Sequence, residues 1–594
     1  MKLTRLLALL PAFALAACGG DSAAPTENVV TTVNTPCSAA SALTLSAGGV
    51  QLLTAAQQAS LCIAGGSGSE YALVPVYTRA APSARLALTV TGTGTSALTA
   101  ASYSLASAGV AGLSGSLAAG GPLASRNAAF DARLRGSERS LFTGRAVPAR
   151  AAIDAMRASL TARKVTSPSG VQRSVASAAV QVGDLMQLNA NADDACTSPS
   201  YRTGRVAAVT ANAIVVADTT NPTGGFTDAE YRSLGIAFDT LVVPVDTLNF
   251  GAPGDIDGNG KAIIFYTKAV NDLTPTTSTS YIGGFFYGRD LYPKTGTSAL
   301  AGCAGSNVGE LFYMMVPDPS RAGSSTSSPF TKANVAAGSV GTLAHEFQHL
   351  INESRRLYVT RTDADEETWL NEGLSHVAEE LTYYRAAGLA PGTNTTVEAI
   401  RAAGTKGIDA FNEYESANAS RLLEYLDATA LNSPIADNDS LATRGATWQL
   451  LRYAADRKGG TQRSTWYALV NSSTSGLANL ANVFGSDAFG TSRGWLRDWA
   501  VSNFADDAGV TVSAAYMQPS WNFRNLLPAL TKSPYPVVTH ALVEGTPVSL
   551  SLGGGAGAAY LRFRVAAGGT ATVATTSGSS ALPSTLDMAL VRTQ

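Results

Sequence analysis

Two of the four histidines in this 594-residue chain lie four positions apart, as His345 and His349 of the string H-E-F-Q-H. In an α-helix, residues four apart lie on one face, so both imidazoles can reach a single metal ion. Zinc accepts such nitrogen ligands, and an adjacent glutamate can deprotonate a zinc-bound water. The pattern therefore predicts one catalytic Zn²⁺ bound by His345 and His349, with Glu346 as the general base. The alternative is a pair of surface histidines on an ordinary helix.

The residues around this motif predict a well-buried helix. Apolar side chains recur there at three- and four-residue spacings: Val335, Val340, Leu343, Phe347, Leu350 and Ile351. We interpret Asn334 as the helix N-cap and the charged Glu353, Arg355 and Arg356 as the exit of the helix to solvent. Histidine and glutamate in so apolar a helix need polar partners, which a metal ion supplies.

A catalytic zinc needs a third protein ligand and keeps one position for water. A metzincin takes a third histidine from H-E-x-x-H-x-x-G-x-x-H, but Asn352 and Arg355 stand at that glycine and histidine, which excludes the class. A second amphipathic helix follows, with the string W-L-N-E-G-L-S-H over residues 369–376. There is room for it to pack antiparallel on the first helix and bring a carboxylate to the metal.

This second helix resembles that of the gluzincin metallopeptidases, in which an N-E-x-x-S/A motif provides the third ligand. The resemblance implies that Glu372 is this ligand. Four other carboxylates precede the helix, and we interpret them as a solvated acidic helix start. These are Asp363, Asp365, Glu366 and Glu367.

The order of motifs is similar to that of the hyicolysin-like neutral metallopeptidases. It comprises a D-I-D-G-N-G-K strand, an L-F-Y-M strand, the H-E-F-Q-H helix and the W-L-N-E-G-L-S helix. The resemblance covers roughly residues 180–520 and implies a zincin-like unit that cleaves proteins. In zincin folds an edge strand beside the cleft binds extended peptides, and the segment 311–316 is our candidate for it.

Further residues are expected to act around the metal. His376 and Glu379 follow Glu372 on the same helix face and are candidate outer partners of the metal ligands. A half-buried histidine bonded to the backbone is the equal alternative for His376. In peptide hydrolysis, the oxyanion that develops on the attacked carbonyl would be stabilised by the zinc and by a Tyr or His donor. The sequence does not choose among Tyr383, Tyr384, Tyr414, Tyr425 and His540.

The segment 254–261 begins like a calcium-binding loop. Asp255, Asp257 and Asn259 alternate and a glycine follows, but Tyr266 stands at the twelfth position where an EF-hand has glutamate. Apolar residues that predict a strand follow directly, so the segment is not an EF-hand. Two interpretations stay open: a calcium site completed by a remote carboxylate, or a turn stabilised by Asp and Asn side chains.

The N-terminus predicts export. A basic start precedes the apolar run from Leu6 to Ala17, which is shorter than a membrane span. The string L-A-A-C at 15–18 resembles the bacterial lipobox, which implies cleavage before Cys18 and lipid attachment to it; a plain signal peptide is the alternative. We therefore expect an exported lipoprotein, anchored at the outer membrane or cell surface.

The remaining cysteines are even in number, which in an exported chain favours disulfides. Of three pairings we prefer Cys37–Cys62 and Cys196–Cys303, because each then closes within one predicted domain. Net charge is −2 with a pI near 6.2, so no nucleic-acid partner is indicated.

The predicted fold class is α+β and multidomain: a zincin-like unit with a mixed sheet and two ligand helices, flanked by small β-sandwiches. A weak helix is expected near Ala128–Arg139 and another near Ala149–Arg163, in an otherwise linker-like region. The predicted divisions are a signal peptide (1–17), a tether (18–35), a β-sandwich (36–115), a linker or propeptide-like region (116–179), the N-terminal zincin subdomain (180–394), a helical subdomain (395–530) and a C-terminal β-sandwich (538–594).

Together these patterns predict a zinc-dependent endopeptidase acting on proteins or peptides. The competing hypothesis is a lipid-anchored surface binding protein or adhesin with a non-catalytic zinc site. A structural zinc site is normally closed by four ligands, mostly cysteines, and the cysteines lie far from the motif.

Overall fold

The computed structural model describes residues 37–98, 128–142, 164–174, 180–193, 196–275, 281–296, 300–323, 328–363 and 365–594. They form an α+β arrangement with three sheets and many helices, in agreement with the predicted class at that level. The predicted signal peptide, Cys18, the tether and the helix near 149–163 lie outside the described residues.

An eight-stranded mixed sheet forms the centre of the middle region. Its spatial order is β12-β13-β11-β10-β9-β8-β6-β7. The strands are β6 (Lys164–Thr166), β7 (Gln172–Ser174), β8 (Leu185–Asn189), β9 (Tyr201–Val209), β10 (Ala213–Asp218), β11 (Ala262–Tyr266), β12 (Gly284–Phe286) and β13 (Leu311–Met314). The all-apolar β11 pairs in parallel with β10 and β13, and all five of its residues are buried, as expected of an interior parallel strand.

The edge strand beside the helices is β12, not the segment 311–316 that the sequence suggested. β13 pairs with β11 on one side and with β12 on the other, so it is an interior strand. The short G-F-F run of β12 has too few residues to stand out as a strand in the sequence. The peptide-binding edge therefore has to be sought at β12.

Two long helices lie beside this sheet: the first packs against β12 and β13, and the second packs on the first. α7 (Lys332–Arg355) carries H-E-F-Q-H and α8 (Thr368–Ala387) carries W-L-N-E-G-L-S, and both contribute to one large core. Thr331, not Asn334, caps α7: the Thr331 hydroxyl accepts the N–H of Asn334 at 3.2 Å. A π-turn at Arg356–Thr360 ends α7 and turns the chain back towards α8.

Other helices precede these two. They are α1 (Ala55–Ala59), α2 (Ala128–Phe142), α3 (Asp228–Ala237), α4 (Val243–Phe250), α5 (Lys268–Asp272) and α6 (Pro319–Ala322), with a π-turn at Phe238–Val242 and a 3₁₀ turn at Gly288–Leu291. α2 is the helix expected near Ala128–Arg139. Its Phe130 and Leu134 are buried in a second core, together with Phe285 of β12 and Tyr313 of β13.

The region after α8 is helical, as its composition indicated. It contains α9 (Val397–Ala402), α10 (Gly404–Ala410), α11 (Ser416–Leu426), α12 (Leu441–Lys458), α13 (Gln462–Val470), α14 (Gly476–Phe484), α15 (Ser486–Phe489), α16 (Gly494–Ala505) and α17 (Phe523–Thr531), with a π-turn at Phe411–Glu415 and a 3₁₀ turn at Ala514–Tyr516. α12 packs against α8 and α11.

The two predicted end sandwiches are one sandwich in the structure. Its first sheet has the order β1-β19-β3-β17-β14, with β16 on β3 and β5 on β17, and its second has the order β15-β4-β18-β2. The strands are β1 (Val50–Leu52), β2 (Ser60–Ala64), β3 (Ser69–Tyr77), β4 (Arg85–Thr93), β5 (Thr95–Ser96), β14 (Thr539–Ala541), β15 (Val548–Gly553), β16 (Gly557–Ala558), β17 (Tyr560–Val565), β18 (Thr570–Thr576) and β19 (Leu586–Arg592).

This shared sandwich has a physical reason. β3 is flanked by β19 and β17, so each end of the chain provides strands that the other needs for hydrogen bonding. Alternating apolar residues predict that one strand face is buried, but they do not identify the neighbouring strand. The prediction of separate sandwiches was therefore wrong, although the strands themselves were expected.

Two disulfides have the preferred pairing, Cys37–Cys62 and Cys196–Cys303. The first ties the start of the described chain to β2, and the second joins the β8–β9 connection to the segment before β13. Over the part of the chain that the structure describes, no helix is long and apolar enough to cross a membrane.

Candidate metal centre

The three predicted zinc ligands meet at one point between α7 and α8. The Nε2 atoms of His345 and His349 are 3.1 Å apart, and the carboxylate of Glu372 lies 3.2 Å from the first and 3.5 Å from the second. Ligands about 2.0–2.1 Å from a tetrahedral zinc lie about 3.3–3.4 Å from each other. These separations therefore fit a zinc ion without rearrangement.

Hydrogen bonds to the other ring nitrogens orient both histidines. His345 Nδ1 lies 2.9 Å from Glu379 Oε1, and His349 Nδ1 lies 3.2 Å from Asn371 Oδ1 and 3.1 Å from the Ser375 hydroxyl. Because the Glu379 carboxylate only accepts, His345 Nδ1 carries a proton and His345 Nε2 presents a lone pair. With both Nε2 atoms and the Glu372 carboxylate at one point, the donor set fits a divalent metal.

The ionisation of Glu372 suits a metal ligand. Burial alone would raise its pKa, but the Arg444 guanidinium and the two histidines outweigh burial and hold the pKa well below its usual value. Arg444 Nη1 lies 2.8 Å from Glu372 Oε2. The carboxylate is therefore negatively charged at neutral pH and ready to bind a cation.

Glu346 lies beside the ligands and faces the edge strand. It is completely buried, and its Oε2 accepts the backbone N–H of Phe286 in β12 at 2.8 Å. This bond holds the carboxylate in place between the metal ligands and the strand that a peptide would pair with. The carboxylate of the predicted general base is thus tied to the edge strand β12.

His376 and Glu379 form the outer layer of the site. Glu379 contacts His345 through Oε1, and its Oε2 lies 3.1 Å from His376 Nδ1 and 3.2 Å from Arg421 Nη1. His376 is fully buried and its ring contacts side chains, which differs from the half-buried alternative. Glu379 therefore orients His345 by a hydrogen bond, and the His376 ring packs against the His345 ring at 4.7 Å between centroids.

The rival carboxylates lie apart from the metal ligands. Glu366 is fully buried, where it pairs with Arg356 at 2.6 Å, so the expectation of a solvated position is wrong for this residue. Glu367 is exposed at the start of α8 and accepts the indole N–H of Trp369 at 2.7 Å. Asp363 is exposed and Asp365 is half-buried.

One of the five oxyanion candidates borders a cavity next to the site. Tyr414 lines it together with Glu379, Thr342, Gly283 and Arg421. The other four lie elsewhere: Tyr383 and Tyr425 are fully buried, Tyr384 donates to the carbonyl of Ser520, and His540 lies in β14 of the sandwich. The geometry therefore favours Tyr414.

Helix α2 lies over this centre, a position that no sequence pattern predicted. Arg135 Nε is 3.4 Å from Glu372 Oε1, and Asp131 pairs with Arg444 at 3.0 Å. Glu138 accepts the backbone N–H of Gly288, just beyond β12, at 2.6 Å. As a consequence, His345, His349 and Glu372 have almost no contact with solvent.

The residues missed by sequence reasoning are mainly arginines and their acidic partners. Arg444 and Asp439 lie more than sixty residues beyond the motif, and their bond at 2.8 Å orients the guanidinium towards Glu372. Isolated charged residues in a helical region carry no sequence signal of a metal site. Only the fold brings them to Glu372.

The predicted calcium residues form a second group. Carboxylate oxygens of Asp255, Asp257 and Glu310 lie within 4.8 Å of one another. Asn259 does not join them as a ligand, because its amide bonds Asp257 Oδ2 and the N–H of Lys261. Glu310 is the remote carboxylate that the sequence could not identify.

Comparison with known proteins gives one relevant match. The neutral metalloprotease ShpI of Staphylococcus hyicus is 31% identical to this chain over 156 residues, which are 26% of this chain and 31% of that protein. This match supports a metallopeptidase. No family model matches the chain. The aligned part spans about a third of the length of this relative.

Proposed function

We propose that this protein is a zinc-dependent endopeptidase of the gluzincin type, most similar to the hyicolysin-like enzymes. The observation that carries the proposal is the convergence of His345, His349 and Glu372 on one point, with Glu346 beside it. The match to a neutral metalloprotease supports the same conclusion. The substrate class is protein or peptide.

His345, His349 and Glu372 would hold a zinc ion, which would supply Lewis-acid polarisation of a peptide carbonyl and a lowered pKa for water. Glu346, fixed by the N–H of Phe286, takes the proton from the attacking water and passes it to the leaving amine. Arg444 keeps Glu372 ionised. Tyr414, which borders the cavity next to Glu379, is our candidate donor to the developing oxyanion. Once α2 is displaced, the edge strand β12 binds the peptide backbone in extended form.

The alternative of an adhesin with a structural zinc is not favoured. A structural site is closed by four ligands, and the four cysteines that the structure describes are in disulfides. A glutamate at the second position of H-E-x-x-H has no structural use in such a site. The peptidase accounts for Glu346, whereas the adhesin does not.

The export predictions are retained as part of this proposal. A lipid on Cys18 would anchor the enzyme at the outer membrane or cell surface, where its substrates would be exported or external proteins. The disulfides agree with an oxidising compartment.

We further propose that α2 belongs to a pro-segment that keeps the enzyme latent. The helix covers β12 and the metal ligands, and its Asp131 forms an ion pair with the guanidinium of Arg444. A peptide cannot reach Glu346 while α2 is in place, because the ligands and the base are all buried. Cleavage on either side of α2, or its displacement, would open the site.

The peptidase proposal is tested by digestion of casein with purified protein. We expect activity that a chelator abolishes and zinc restores. Glu346→Gln should retain zinc and fold but lower kcat at least about 100-fold, because only the base is removed. Glu424→Gln, at an exposed position of α11, is the matched control and should keep full activity. Full activity of Glu346→Gln with zinc bound would refute the mechanism.

The cover is tested by weakening its packing. The ring of Phe130 contacts Phe285 of β12 at 5.4 Å between centroids, so Phe130→Ala and Leu134→Ala should loosen α2. We expect faster loss of zinc to a chelator and a higher kcat/KM than for the wild type. Arg133→Ala, at an exposed position of the same helix, should match the wild type.

The two proposals fail in different ways. Unchanged zinc loss in folded Phe130→Ala and Leu134→Ala would refute the cover. Faster zinc loss without any cleavage of protein, even after α2 is removed by limited proteolysis, would support the cover and refute the peptidase.

A further inference from the structure

The turn between α4 and β11 is stabilised by its own side chains. Asp255 Oδ1 accepts the N–H groups of Asn259 at 3.1 Å and Gly260 at 3.2 Å, and Asn259 Oδ1 accepts the N–H of Lys261 at 2.6 Å. Gly258 and Gly260 have φ values of 72° and 68°, which favour glycine. These bonds alone would explain a tight turn without any ligand.

Glu310 is not explained by the turn. It immediately precedes β13 and is only 4% exposed, and it enters the cluster from a distant part of the sequence. Its Oε1 accepts the N–H of Ile256 at 2.8 Å, whereas its Oε2 is buried and has no hydrogen-bond partner among the described residues. A buried carboxylate oxygen without a partner is costly unless a cation or proton neutralises it.

The surroundings of Glu310 increase this cost. Asp255 and Asp257 each place a carboxylate oxygen within 4.8 Å of it. The ammonium of Lys261, on the same turn, donates to the carbonyls of Thr210 and Ala211. Burial, together with the charge of these two aspartates, raises the pKa of Glu310 to about 8. Three carboxylates at such short distances form a strongly negative site that faces solvent through Asp255.

We propose that Asp255, Asp257 and Glu310 bind a Ca²⁺ ion. The donors are all oxygens and carry three formal negative charges, which suits a hard divalent cation rather than the nitrogen- or sulfur-seeking zinc. Ca²⁺ accepts six to eight oxygens in flexible geometry, so water at the exposed Asp255 side completes its shell. Mg²⁺ demands a near-ideal octahedron of ligands. It is less suitable here, because the three carboxylates come from two separate segments of the chain.

The calcium ion stabilises the strands and the helix end that support the zinc ligands. It takes no part in peptide hydrolysis. It joins the turn before β11 to the start of β13, two strands that pair in parallel from Ile263 and Leu311 onwards. On the same turn, the N–H of Gly254 donates to Ser354 near the end of α7 at 3.0 Å. This site is independent of the peptidase proposal, because none of its ligands contacts the zinc ligands.

The experiment measures the melting temperature of the full zinc-loaded protein at increasing calcium concentrations. The titration begins with calcium removed by a chelator and ends at about 10 mM, which exceeds the dissociation constants of the weakest extracellular calcium modules. Zinc is kept constant by a zinc buffer and checked by elemental analysis. Above the dissociation constant, each tenfold rise in calcium should shift the folding equilibrium about tenfold. Titration calorimetry should give one site per chain.

Two variants and a control assign the ion to this cluster. Glu310→Gln and Asp257→Asn should lose the calcium response and keep their zinc. Without calcium, Glu310→Gln should melt no lower than the wild type, because burial and the two aspartates already disfavour the charged form of this carboxyl group. Asp246→Asn, which alters a fully buried carboxylate of α4 outside the cluster, should keep the whole calcium response.

Three results would overturn the proposal. The first is wild-type melting that does not respond to calcium, which would leave only a turn. The second is an unchanged calcium response in both Glu310→Gln and Asp257→Asn. The third is an equal response to magnesium at the same concentration, which would refute the choice of calcium.

Discussion

Glu379 offers the most direct test of how the zinc ligands are held. Its Oε1 accepts the Nδ1–H of His345 at 2.9 Å, which fixes the ring so that Nε2 faces the metal. Loss of such an outer partner typically lowers metal affinity 10- to 100-fold, or about 1.4–2.7 kcal/mol. We expect Glu379→Gln to fall near the lower value, since its amide oxygen can still accept from His345. Glu379→Ala should approach the upper value.

The assay is competition for zinc with a chelator of known affinity, with folding followed by circular dichroism. Glu380→Gln is the matched control: this neighbouring carboxylate is also buried on α8 and pairs with Arg452 at 2.5 Å, but it does not touch a zinc ligand. It should lower the melting temperature and leave zinc affinity unchanged. Wild-type affinity in Glu379→Ala, or equal losses in Glu379→Ala and Glu380→Gln, would refute the proposed orienting role.

Three further predictions follow from the site and the N-terminus. His345→Ala and His349→Ala should each lose zinc, measured by elemental analysis, because only two ligands remain in either variant. Glu372→Ala should also lose zinc whereas Glu367→Ala should keep it, and the opposite result would mean that the wrong carboxylate was chosen. Cys18→Ser should release the protein from membranes with unchanged peptidase activity, and lipid labelling that persists would contradict the lipobox interpretation.

The spacing of His345 and His349 made half of the metal centre predictable, because an α-helix converts a four-residue spacing into a shared face. Glu372 was identified as the third ligand only by resemblance to the gluzincins, because residue spacing does not predict the geometry of the turn between α7 and α8. Arg444 could not be predicted at all, because its helix reaches Glu372 only through tertiary packing. Arg356 was predicted wrongly. As a charged residue at a helix end it was expected in solvent, but it lies buried against Glu366. Charge predicts exposure only where no partner is available.

In the sandwich, the alternation of apolar residues predicts the strands but not which strands pair with each other. β3 has one partner in β19 and another in β17, so both of its backbone edges are paired with strands from the other end of the chain. Removal of residues 538–594 would leave those hydrogen-bonding groups unpaired and expose the apolar side chains of Leu73 and Leu88. Because the apolar core of the sandwich is built from both ends of the chain, the remaining strands lose much of their burial as well as their pairing and cannot stay folded. We expect residues 60–93 of the truncated protein to exchange amide hydrogens rapidly and to be cut early by added protease, while α7 and α8 stay protected. Wild-type protection of residues 60–93 in that truncation would mean that the first strands fold alone, as the alternating pattern by itself had suggested.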